Sequence, residues 1–151
     1  MNILFLKLKK IALTTLLLIC PVLGFPQTKY IATFEEVEKT ADLIVSIAAQ
    51  GSIPAALTEM RQYSGVPAGE FNVLLAQMDN QNTELFNAVG RPTGYEVVRT
   101  EKLGTSLVKY SYIIKCTQSA IIWKMTFYKA SKGWVVVDFN FSSKGSLLFV
   151  N

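Results

Sequence analysis

The side chains able to do chemistry in this chain are few, because it contains no histidine. That absence removes Ser-His and Cys-His nucleophile pairs together with the commonest metal ligand. Cys116 would attack only as a thiolate. It closes the alternating set Val108, Tyr110, Tyr112, Ile114 and Cys116, where a buried small apolar residue is the simpler reading. Asp138 is the one acid in the last two strand-like runs, and a general base there would need a pocket. Alternation puts it instead beside Thr126 and diagonal to Lys109 and Lys124, as an exposed cross-strand group. Arg99 and Glu101 would form a paired interior site only if the odd-numbered set of their strand faces inward. Tyr110, Tyr112, Trp123 and Phe127 share a face and would wall a site for a small apolar ligand, if the helices leave a cavity there. Without a cavity they are plain core. These residues assemble no catalytic set, no metal-ligand cluster and no cofactor motif, so neither a metal nor a cofactor is expected.

The charge distribution bounds the partners. The formal charge of +4 suggests a basic protein, but Lys7, Lys9 and Lys10 sit at the extreme N-terminus, ahead of the apolar run Ile11 to Ile19 and then Cys20-Pro21-Val22-Leu23-Gly24. That is the layout of a secretory signal peptide, read here as residues 1–24 with cleavage after Gly24. An uncleaved anchor is the rival reading, yet Ile11 to Leu23 is well short of the roughly 20 apolar residues of a spanning helix. A lipoprotein fits less well, since bulky Ile19 stands where a small residue should precede Cys20. The expected mature product is one domain, residues 25–151, periplasmic or secreted and without a stable membrane span. Taking the three lysines from 15 Lys and Arg leaves 12 against 11 Asp and Glu. Nucleic-acid binding therefore loses its electrostatic support. Cys116 is left as the only mature thiol, which excludes an internal disulfide.

Elements that must position these residues come in two halves. Thr33-Phe34-Glu35-Glu36 reads as a capping box, and apolar residues at spacings of three and four predict a helix over 34–50, stopped at Gly51. Ser52 and Pro54 open a short second helix ending near Ser64-Gly65. A third runs from about Ala68 to Ala88, with a kink or break expected in the polar stretch Asp79 to Glu84. From Tyr95 the period changes to two. Strands are predicted near 95–102, 106–116, 120–129 and 134–142, joined by short loops as an antiparallel meander. The fold class expected is α+β, with N-terminal helices packed on one face of a curled four-stranded antiparallel sheet.

Hairpin register assigns the two faces of that sheet. A three-residue loop Ser131-Lys132-Gly133 puts Met125 opposite Phe139 and Trp123 opposite Phe141; the preceding hairpin puts Tyr112 opposite Trp123. The outer face then carries Leu107, Tyr128 and Val136 in one row and Ile113 with Ile122 in another, with Trp134 near by. Apolar rows around Lys109, Lys124 and Asp138 suggest a homodimer through this face, unless Phe25 to Ile31 folds back over it.

Three helices followed by a curled antiparallel sheet resemble the cone-shaped nuclear transport factor 2-like superfamily, close to cystatin-like folds. The stretch Trp123-Lys124-Met125-Thr126-Phe127-Tyr128-Lys129 through Gly133-Trp134-Val135-Val136-Val137-Asp138-Phe139 is similar to the last hairpin of its small exported members of unknown function. The resemblance implies a cone over roughly residues 33–149 and raises the expectation of a pocket, in a superfamily that includes isomerases and dehydratases as well as binding and dimerisation modules. Its enzymes commonly place an Asp and often a His inside the cone, and no such motif carries over here. The function expected is an exported non-enzymatic module that binds a small apolar ligand or a protein partner. The alternative is a pocket enzyme using carboxylate acid-base chemistry.

Overall fold

A computed structural model of the chain describes residues 28–144; residues 1–24, read above as a signal peptide, lie outside them. Three helices, α1 (Phe34–Ala48), α2 (Ile53–Arg61) and α3 (Ala68–Val89), precede four strands, β1 (Pro92–Leu103), β2 (Leu107–Cys116), β3 (Ala120–Ala130) and β4 (Gly133–Ser142). The strands pair in chain order as an open antiparallel meander. This is the α+β architecture expected, three helices followed by a four-stranded antiparallel sheet.

The capping box forms as its residue types require. Thr33 Oγ1 accepts from the Glu36 amide at 3.2 Å, and Glu36 returns a carboxylate to the Thr33 amide at 3.0 Å, so two otherwise orphaned donors are satisfied. α1 then buries Val37, Ala41, Ile44, Val45 and Ala48 against the sheet and α2. Opposite them Tyr110, Tyr112, Ile114, Ile121, Trp123, Met125 and Phe127 supply the sheet side of the core, on the face that alternation assigned.

α3 is not interrupted. Its 22 residues stay helical through Asp79 to Glu84, and Asn82 turns its amide away from its own helix. Asn82 Oδ1 accepts from the Ile53 amide at 3.0 Å and Nδ2 donates to the Gly51 carbonyl at 3.0 Å. The side chain therefore clamps the α1–α2 turn instead of competing for α3 backbone.

The β3–β4 register is as expected at Met125–Phe139 and Trp123–Phe141, but not near the turn. Ala130 pairs with Gly133, so the turn holds two residues and not three, and a bulge at Val137 absorbs the difference. Parity flips across the bulge. Val136 pairs with Phe127 and Tyr128 with Val135, which carries Val136 and Trp134 to the helix side. Trp134 sits edge-on to Phe34 with ring centroids 5.9 Å apart, and Val136 is 1% exposed. These two residues are thus core, contrary to the outer placement expected for them.

β1 carries the same device. Val97 pairs with Tyr112 and Arg99 with Ser111, leaving Val98 as the bulged residue. Tyr95 and Val97 face the helices, and beyond the bulge Thr100 and Lys102 do. Glu101 points outward and bridges Lys109 at 2.9 Å. An interior Arg99–Glu101 pair is ruled out by that flip.

The segment before α1 runs along the free edge of β4, where Ile31 and Trp134 exchange both backbone hydrogen bonds at 2.8 and 2.9 Å. Gly133 permits this approach: a Cβ there would lie 2.6 Å from the Ile31 carbonyl oxygen, and its φ of 136° suits glycine alone. Thr28 to Ile31 consequently protects an edge and does not fold over the outer face.

Candidate functional site

α1 keeps its apolar stripe inward, so Glu35, Glu38, Lys39 and Asp42, at spacings of three and four, form one polar stripe beside β1 and β2. Between that stripe and the sheet lies an open groove of about 320 Å³, floored by Val97, Tyr110 and Tyr112. Three carboxylates and one ammonium stand at its lip. Lys39 is committed to Glu35 at 2.8 Å, which leaves the charge of Glu38 and Asp42 uncompensated by Lys39.

Tyr95 holds one end of the groove by donating its hydroxyl to Asp42 Oδ2 at 3.0 Å. Burial and then this bond push the Tyr95 phenol above its ordinary range. Tyr112 lies next, 6.4 Å from Tyr95 between ring centroids, and its phenol is pushed further up, chiefly by burial and then by Asp42. Tyr110 packs edge-on against Phe127 at 6.1 Å. Its pKa rises to about 12, first from burial and second from the charge of Glu38.

The Tyr110 hydroxyl is buried and has no hydrogen-bond partner among the described residues. Buried polar atoms are almost always satisfied, and leaving one unmade costs about 1–3 kcal/mol. Both phenols stay neutral at ordinary pH, so they offer donors and acceptors and not bases.

The four aromatics singled out from the sequence separate here. Tyr110 and Tyr112 border the groove, whereas Trp123 and Phe127 are fully enclosed. Trp123 stacks on Phe141 at 5.2 Å; its indole Nε1 is a second buried atom without a partner among the described residues. Cys116 is half-buried, with burial pushing its thiol up, so it holds less thiolate than a free cysteine. Asp138 pairs with Thr126 on the outer face and is exposed, as alternation implied. Among the described residues no three carboxylate or thiol groups converge as a metal site.

Glu38, Asp42 and Val97 were not singled out by sequence reasoning. The signal was present in the polar stripe of α1, but that stripe reads as an ordinary solvated face until the helix is laid across β1 and β2. On the outer face, Leu107 and Ile113 are half-buried and Tyr128 is 43% exposed, but Ile122 is 1% exposed and Ser111 3%. Trp134 and Val136 are turned inward, so of the residues expected on this face Leu107, Ile113 and Tyr128 are the ones that keep exposed surface there.

No family model and no curated protein matches the sequence. The chain is similar to a solved structure from Campylobacter jejuni described as a putative NTF2-like transpeptidase, with a TM-score of 0.49 and 11% identity, over 68% of this chain and 97% of that one.

Proposed function

We propose that this chain is an exported, non-enzymatic binding module whose site is the groove between α1 and the β1–β2 hairpin. The observation that carries the reading is the Tyr110 hydroxyl, buried and unpartnered at a groove of about 320 Å³. A volume of that size suits a small ligand whose apolar body lies on Val97 and Tyr112 while one polar group meets Tyr110. Acid-base catalysis is the weaker alternative: Glu38 and Asp42 are solvent-exposed, and a general base acting on bound substrate needs shielding from water. Export rests on the layout of residues 1–24. If two copies pair through the outer sheet face, the contact rests on Leu107, Ile113 and Tyr128.

Native mass spectrometry of the protein purified from its own host tests the binding role. The expected spectrum contains the chain with an added small-molecule mass, released on denaturation. A spectrum of bare chain alone, in the wild type as in a Tyr112→Ala variant, would count against a retained ligand.

A further inference from the structure

We infer that the ligand of this groove carries a primary ammonium group, seated between the Glu38 carboxylate and the Tyr110 hydroxyl, with its alkyl portion along Val97 and Tyr112. This rests on the binding role proposed above and adds to it the chemical class of the occupant.

Charge is the first argument. The lip holds Glu35, Glu38 and Asp42 against Lys39 alone, and Lys39 is already bonded to Glu35 at 2.8 Å. Asp42 spends one oxygen on the Tyr95 hydroxyl. Glu38 is engaged in no ion pair among the described residues, yet its charge reaches Tyr110 strongly enough to be the second cause, after burial, of that phenol's raised pKa. An anion entering the groove would face that carboxylate unscreened. A cation would be attracted by it.

Hydrogen-bond inventory is the second, independent argument. A neutral phenol oxygen has two acceptor sites and one donor, and the Tyr110 hydroxyl, on a residue only 2% exposed, uses none of them. An ammonium N–H would fill an acceptor site there. The rings of Tyr110 and Tyr112, 6.3 Å apart between centroids, add an aromatic surface that favours a cation over a neutral group. A primary ammonium has three donors, which allows it to serve the carboxylate and the phenol together.

The test is calorimetric titration of the protein purified from its own host with three five-carbon probes: pentylammonium, 1-pentanol and pentanoate. Pentylammonium should bind about tenfold tighter than 1-pentanol, as expected for one charge-assisted hydrogen bond, and pentanoate weakest. Glu38→Gln, at an exposed position, should bring pentylammonium down to the alcohol's affinity and leave 1-pentanol unchanged. Equal binding of all three probes overturns the ammonium assignment while leaving the groove as a binding site. So does a preference for pentylammonium that survives Glu38→Gln. Absence of binding by any probe up to millimolar concentration overturns the assignment and the binding role together.

Discussion

Tyr95 on β1 and Asp42 on α1, 53 positions apart in the chain, meet at 3.0 Å through a phenol-to-carboxylate hydrogen bond. The contact ties α1 to β1, joining an acidic residue of the groove's lip to the strand that carries Val97. Asp42→Asn should lower the Tyr95 phenol pKa, because the hydrogen bond and the charge of Asp42 both raise it, while the larger contribution from burial stays. Absorbance titration of the tyrosinate band in wild type and variant gives the sign directly. An unchanged curve would mean that the bond does not persist in solution.

Tyr110→Phe should stabilise the protein. The hydroxyl it removes is buried and unpaired, so the unfolded state alone loses a favourable interaction with water. The expected gain is about 1 kcal/mol, or a rise in Tm of about 4 °C for a domain of this size. The same variant should lose ligand affinity. A drop in Tm would show that the hydroxyl is satisfied in solution.

Alkaline pH should destabilise the native state for a related reason. With the Tyr110 pKa raised to about 12 and that of Tyr112 raised further, the folded chain holds phenol protons that the unfolded chain releases near pH 10. Their contribution to stability is therefore complete below pH 10 and lost as pH rises through the folded values. Urea midpoints measured from pH 8 to 11.5 should fall above pH 10 in wild type and fall less in Tyr110→Phe.

Asn82→Ala should destabilise by about 1–2 kcal/mol, since it leaves the Ile53 amide and the Gly51 carbonyl without their side-chain partner. Urea denaturation measures the loss. If the change is under about 0.3 kcal/mol, the clamp is not what orders the α1–α2 turn.

Much of this architecture is legible in the sequence, and the misses on the sheet share one cause. Helix ends follow from caps such as Thr33 with Glu36, and the core faces of β2 and β3 follow from strict alternation through Tyr110, Tyr112, Trp123 and Phe127. Alternation assumes an unbroken pleat, however, and single bulges at Val98 and Val137 turned Glu101 outward and Trp134 and Val136 inward. Nothing in the residue types at Val98 or Val137 marks a bulge. Asn82 misled for a different reason: its residue type favours breaking a helix, and only the tertiary partner at Ile53 shows where its amide goes. The groove itself needed the placement of α1 beside β1 and β2, which no local pattern encodes, although two of its three floor residues, Tyr110 and Tyr112, were visible as part of an aromatic face.

The groove floored by Val97, Tyr110 and Tyr112 is the proposed seat of the ligand, and amide chemical-shift mapping locates where a ligand binds. With the isotopically labelled protein titrated by five-carbon probes of positive, neutral and negative charge, saturable shifts are predicted at Glu38, Asp42, Val97, Tyr110 and Tyr112. Shifts confined to another concavity, such as the one lined by Lys29, Arg61 and Gln62, or shifts that never saturate, would contradict it.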